Sequence, residues 1–279
     1  MNFHQLPTKH IEKISLNVTD LEKSIEFYKH ILGFDILTKH ENHVELTLDG
    51  ERALVELVQP ANAEPLDPNK TGLFHVAYLV PKRADLANAL YYFLSEEFPI
   101  QGASDHGVSE AIYLADPDGN GIEIYADRDE KDWKWSAGQV KMMTEPIQSE
   151  ELIARRTPGG WNGLPQETTI GHIHLQVHNL ALAEPFYRKI GFEKVANYGS
   201  QAFFIADQKY HHHIGLNIWR SANSQPKEST EAGLNWFRVK MTESERKNTL
   251  RGLLELDYDV NQSLDYYEVR DPSGIIVHF

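Results

Sequence analysis

Ile14-Ser-Leu-Asn-Val18, followed by Asp20-Leu21, Phe27-Tyr28 and Gly33-Phe34, occurs twice in this chain in altered form. Its second version is Ile173-His-Leu-Gln-Val177, then Asn179-Leu180, Phe186-Tyr187 and Gly191-Phe192, in the same order and nearly the same spacing. Apolar residues at every second position (Ile14, Leu16, Val18) mark a strand with one buried face. Asp20 and Asn179 stand where a helix N-cap accepts from an unpaired first-turn N–H. Leu21, Ile25, Tyr28 and Leu32 then recur at helical spacing, and Gly33 stands where a helix ends in a left-handed residue. Strand-like runs, Val44–Leu48 and Ala53–Val58, complete a β-α-β-β-β unit.

A second pair is weaker. Gly72-Leu-Phe-His75 through Asp116-Pro-Asp-Gly119 parallels Gly233-Leu-Asn-Trp236 through Asp271-Pro-Ser-Gly274. The chain therefore reads as four βαβββ modules, near 9–60, 70–127, 169–221 and 231–279. The expected fold is α+β, with curved mixed sheets in two domains, 1–130 and 169–279. Residues 131–168 form the linker between them. Ser149 is placed to cap a short helix there, and Trp133, Trp135, Met142 and Met143 are expected to pack onto the domains rather than line an entrance.

Composition narrows the chemistry. Of 279 residues 41% are hydrophobic and 24% charged, as in ordinary globular proteins. No apolar run is long enough to span a membrane. A net charge of −14 disfavours a nucleic-acid surface. The absence of cysteine excludes disulfides and thiolate chemistry, leaving 14 histidines as the abundant reactive side chains. The opening Met1-Asn-Phe-His-Gln-Leu-Pro7 lacks a secretory pattern, so a cytoplasmic location is expected.

Comparing the modules with one another selects among the histidines. Seven residues before the helix cap stands Lys13 in the first module and His172 in the third. The matching position is His75 in the second and Trp236 in the fourth. After Asp-Pro-x-Gly the last strand carries Glu123 in the second module and His278 in the fourth. Only the inner modules hold the full set His75, Glu123 and His172, two imidazoles and one carboxylate. That is the donor set of a non-haem iron site with open coordination positions. His174, two residues on, shares the face of His172 and is an alternative ligand or a supporting residue. Glu56 has only Lys13 as its partner position and is expected at the surface or in a salt bridge.

The run from His106-Gly-Val-Ser-Glu-Ala-Ile-Tyr113 through Asp116-Pro-Asp-Gly119 to Glu123 resembles the signature of type I extradiol ring-cleaving dioxygenases. These belong to the vicinal-oxygen-chelate superfamily, and the two-domain catechol 2,3-dioxygenase-like proteins of Gram-positive bacteria are the most similar group. Thr71–His75, Gly171–Leu175 and Tyr210–Trp219 resemble that group as well; Ser104 departs from its usual pattern. The resemblance implies Fe(II) on His75, Glu123 and His172, with Mn(II) or another divalent ion as alternatives. It also implies an aromatic diol and O₂ as substrates, and Tyr113 and His106 orienting the diol. An acid–base histidine is implied near 211–213: spacing to Gly215 favours His212, and strand parity favours His213. Because the ligand set is complete only in the inner modules, those two are expected to pair around the metal. A homodimer through strand edges is compatible with the sequence.

Two other functions fit the same fold. A glyoxalase I-type isomerase needs a second carboxylate, and Gly215 stands where it would fall. A bleomycin-resistance-type binding protein needs no metal.

Overall fold

The computed structural model describes residues 2–279 and contains the four expected units. The first comprises β1 (His10–Asn17), α1 (Leu21–His30), β2 (Asp35–Lys39), β3 (His43–Thr47) and β4 (Ala53–Val58). The second is β5 (Gly72–Leu79), α2 (Arg83–Ser95), β6 (Gly102–Asp105), β7 (Ser109–Ala115) and β8 (Gly121–Asp127). A connector follows with short strands β9 (Trp135–Ser136), β10 (Gln139–Val140) and β11 (Glu145–Pro146), then α3 (Ser149–Ile153). The third unit is β12 (Thr169–Gln176), α4 (Leu180–Ile190), β13 (Glu193–Tyr198), β14 (Ala202–Ala206) and β15 (Ile214–Asn217). The fourth is β16 (Gly233–Lys240), α5 (Glu243–Leu254), β17 (Val260–Gln262), β18 (Tyr267–Arg270) and β19 (Ile276–His278).

Local chemistry sets the helix starts. Asp20 accepts from the Lys23 N–H at 3.1 Å, and Asn179 from Ala181 and Leu182. Gly191 ends α4 with φ +104°, a conformation costly for a residue with a Cβ. Ser149, expected as a cap, is instead the first helical residue; Gln148 holds the cap position without a side-chain bond.

The units pair out of sequence order. β1 runs antiparallel to β16, so the first and fourth units share an eight-stranded sheet, here called outer. β5 runs antiparallel to β12, so the second and third share a nine-stranded inner sheet. Pairing of the two inner modules, expected from the ligand set, is the pairing observed. The division at 131–168 does not separate the sheets, since each draws one unit from either half of the chain. The physical reason lies in the lead strands, whose long-range partners are in the opposite half. Both sheets carry the same irregularity, a shift between Ile11 and Lys13 in β1 and between Ile170 and His172 in β12.

One face of each sheet and an apolar stripe of each helix share a continuous core that includes Ile14, Leu16, Tyr28, Ile173 and Phe186. Full burial of such side chains contributes about 1.5–3 kcal/mol each. Two tyrosines also tie neighbouring units across the sheets. Tyr28 of α1 donates to Asp116 at 3.3 Å, and Tyr187 of α4 donates to Asp271 at 3.0 Å. Both carboxylates also accept backbone N–H groups of their own Asp-Pro-x-Gly turns. No helix among the described residues is long and apolar enough to cross a membrane.

Candidate metal centre

Strand register brings the three candidate ligands together. In the inner sheet His172 of β12 lies opposite Ala77 of β5, and Ala77 lies beside Glu123 of β8. His75 is two residues before Ala77, on the same face. The potential ligand atoms of His75, Glu123 and His172 all lie within 4.8 Å of one another. Nε2 of His75 is 3.0 Å and Nε2 of His172 is 3.2 Å from the same Glu123 oxygen. All three side chains are buried. Gly121 makes this approach feasible: a Cβ there would lie 2.2 Å from the Phe74 carbonyl oxygen and 3.0 Å from the His75 Cβ.

The electrostatics suit a cation. Burial raises the Glu123 carboxyl, but His172 and His75 outweigh it and hold the group well below its usual range. Burial lowers His172 to about 4, with Glu123 opposing, so its imidazole is neutral at pH 7. Nε2 of His75 is buried and makes no aligned hydrogen bond despite its 3.0 Å approach to Glu123, and a buried nitrogen left so is costly. Two imidazoles and an ionised carboxylate converging on one point match the needs of a divalent ion. His174 is adjacent, its ring 5.1 Å from that of His75, and lies outside the converging group. Its Nε2 also lacks a partner. A Cβ at residue 215 would stand only 2.9 Å from the His174 ring, so Gly215 provides the space that ring occupies.

The three candidate ligands line a cavity of about 500 Å³. Its apolar wall includes Phe74, Phe204 and Trp219, and the connector covers it with Met142 and Met143. The connector thus has two roles. Trp133 packs, donating to the Val108 and Arg128 carbonyls, while the methionines line the cavity. Tyr113 and His106 also face it, and His106 Nε2 is 2.6 Å from the Tyr113 hydroxyl. Nδ1 of His106 is 2.8 Å from the Met143 carbonyl and must donate there, so the tyrosine O–H donates to Nε2. Burial, then Glu123, raises Tyr113 well above its usual value and keeps the phenol protonated.

The histidine run divides. Residues 211–213 precede β15 in irregular backbone, so alternation along a strand does not govern them. His212 lines the cavity, its ring 4.0 Å from that of His172. His213 does not; its Nε2 faces the Phe3 carbonyl at 3.0 Å, and its Nδ1 accepts from Asp207 N–H. His211, fully buried, bridges Asp127 (2.7 Å) and Nδ1 of His212 (2.8 Å). That bridge was not foreseeable, because Asp127 is 84 residues away in sequence. Glu56 is half-buried on β4, beside Glu45 in register, and forms no ion pair among the described residues.

Known proteins share this sequence pattern and fold. Residues 9–124 match the glyoxalase/bleomycin resistance protein/dioxygenase superfamily. Over 276 residues the chain is 39% identical to the catechol-2,3-dioxygenase of Bacillus subtilis strain 168, covering 97% of this chain and 96% of that one. A biphenyl-2,3-diol 1,2-dioxygenase of Rhodococcus globerulus is 27% identical over 41% of this chain and 60% of its own length. Glyoxalase I from Zea mays shares the fold, with a TM-score of 0.60 at 15% identity over 97% of this chain and 92% of its own. The chain belongs to the glyoxalase/bleomycin resistance protein/dioxygenase superfamily.

Proposed function

We propose that the protein is an extradiol dioxygenase that holds Fe(II), or a similar divalent ion, on His75, Glu123 and His172 and cleaves a catechol or hydroquinone-type ring. The observation that carries this reading is the convergence of two imidazoles and one carboxylate at the floor of an aromatic-walled cavity. Such an ion, once bound, supplies the redox chemistry and acidifies the diol that it chelates.

The chain's own residues supply the rest. Phe74, Phe204 and Trp219 offer flat apolar contacts to a ring, and Met142 and Met143 exclude water above it. Asp127 requires a proton on Nε2 of His211, which leaves Nδ1 of His211 as an acceptor. Nδ1 of His212 must then donate to it, so the lone pair of His212 is on Nε2. A neutral imidazole with a free lone pair in the cavity is suited to take a phenolic proton. Tyr113 keeps a protonated hydroxyl beside Glu123; turned from His106 Nε2, its single proton is a donor to substrate oxygen.

The isomerase alternative needs a second carboxylate beside the ligands. The residue equivalent to Glu56 in the inner sheet is Gly215, since Ser15 pairs with Glu56 as His174 pairs with Gly215. Anaerobic loading with Fe(II), followed by oxygen and a panel of catechols and hydroquinones, is expected to give coloured ring-opened products. No oxygen uptake with any diol by fully loaded protein would refute the proposal.

A further inference from the structure

The outer sheet repeats the geometry of the inner one with the charges reversed. In the inner sheet the row His172, Ala77 and Glu123 crosses three adjacent strands. The equivalent row in the outer sheet is Lys13, Arg238 and His278, crossing β1, β16 and β19 with the same pairing. A cation-binding floor has become one rich in basic groups. Like charges directly opposite on neighbouring strands repel, so this row needs anions to balance it.

Two of the three have them. Lys13 pairs with Glu45 at 2.5 Å, and His278 contacts Glu268 at 3.1 Å. Arg238, in the middle, has no carboxylate within ion-pair distance among the described residues. Its guanidinium instead lies against the rings of Trp236 and Tyr266, at 5.4 and 4.9 Å. Its Nε is buried and lacks any hydrogen-bond partner. An unsatisfied charged donor is expensive to bury; stacking fixes the plane of the guanidinium, and among the described residues no acceptor takes its two terminal nitrogens, which leaves that edge for a two-pronged acceptor.

Arg238 opens into a cavity of about 940 Å³. The other cations lining it, Lys13, Arg52, Lys240 and Arg246, are each engaged by Glu45, Asp49, Glu12 and Glu243 respectively. Two unpaired carboxylates, Glu51 and Asp265, also line the cavity but are exposed and beyond ion-pair distance of Arg238. Leu54, Met241, Phe279 and Tyr266 provide apolar wall.

We propose that the outer concavity is a second ligand site, which binds a small organic carboxylate with an apolar body, its carboxylate seated on the edge of the Arg238 guanidinium. Planar carboxylate geometry matches the fork, and apolar walls reward an organic body over a bare anion. The site is separate from the metal centre and does not depend on its chemistry.

Benzoate is a suitable probe, titrated calorimetrically into the metal-loaded protein and into metal-free His75→Ala. Saturable binding with the same Kd in both is expected, weakened roughly tenfold or more in Arg238→Gln, as for loss of a charged donor. Arg238→Lys, which keeps the charge but not the fork, is expected to bind more weakly than the native protein and serves if the Gln variant misfolds. Four results would overturn the proposal: no saturation by about 10 mM benzoate, loss of binding in His75→Ala, undiminished binding in folded Arg238 variants, or displacement by inorganic phosphate as effectively as by benzoate.

Discussion

Gly121→Ala is expected to disturb the metal centre without touching a ligand. The added Cβ would meet the Phe74 carbonyl oxygen at 2.2 Å, about 1 Å short of ordinary contact, and the His75 Cβ at 3.0 Å. Both neighbours are part of β5, so no side-chain rotation relieves the clash; the two strands must separate. Because Gly121 is paired with His75 and lies two residues before Glu123, this moves one ligand away from another. Overpacking of this kind costs about 1–3 kcal/mol, offset by about 0.4–1 kcal/mol from a less flexible unfolded chain. A net loss of about 1–2 kcal/mol lowers Tm by about 2–8 °C for a protein of this size. Metal sites tolerate only about 0.2 Å of error in ligand distance, so a weaker metal Kd should accompany the lower Tm. Calorimetric melting and metal titration would measure the two effects. Gly159→Ala is the control, since no atom lies within 4 Å of its Cβ and its backbone is unstrained. If Gly121→Ala melts and binds metal as the control does, close approach of β5 and β8 does not set the ligand geometry.

Other outcomes follow from the same structure. His212→Gln should keep stoichiometric metal and lose most turnover, whereas His213→Asn should lower Tm with the active-site metal retained; turnover assays and melting curves compare them. Tyr28→Phe should cost about 0.5–1.5 kcal/mol in urea unfolding, the usual value of one hydrogen bond, with metal affinity unchanged. Burial raises the Asp271 carboxyl to about 6 despite its donors, above the ordinary 3.8. The folded state then binds the extra proton, so this contribution is complete below about pH 4 and is lost as pH rises through 6. It amounts to at most about 3 kcal/mol, and Asp271→Asn should flatten the fall of Tm across that interval. Saturating divalent metal at about 100 times its Kd should raise stability by about 2.7 kcal/mol, an increment that His172→Ala should abolish in paired melting curves.

The repeat was legible because strand alternation, cap residues and Asp-Pro turns are local signals that survive duplication. Comparing Lys13 with His172, Trp236 with His75 and His278 with Glu123 located the three clustered residues, since equivalent strands place equivalent positions on the same face. Ligand identity and partner strand are different kinds of information. The β1–β16 and β5–β12 seams join distant segments, and no local pattern in Ile14–Val18 names its partner. Residues 211–213 misled strand parity because the chain bends before β15. The roles of Met142 and Met143 depend on how the connector crosses the cavity, which their spacing does not encode.

The two lead-strand seams also bear on how the chain is made. β5 has its antiparallel partner in β12, and β1 has its partner in β16, more than 200 residues later. At roughly 5–20 residues per second of synthesis, β1 waits on the order of 10–40 s for that neighbour. Throughout that time one edge of an apolar strand stays unpaired, a template for the wrong partner. The selection pressure on the first 60 residues therefore includes remaining soluble while unfinished. Of the two charges within β1, Lys13 has its partner Glu45 in the same unit, whereas Glu12 keeps a charge on that waiting edge, the kind of residue that guards an apolar strand, until Lys240 arrives.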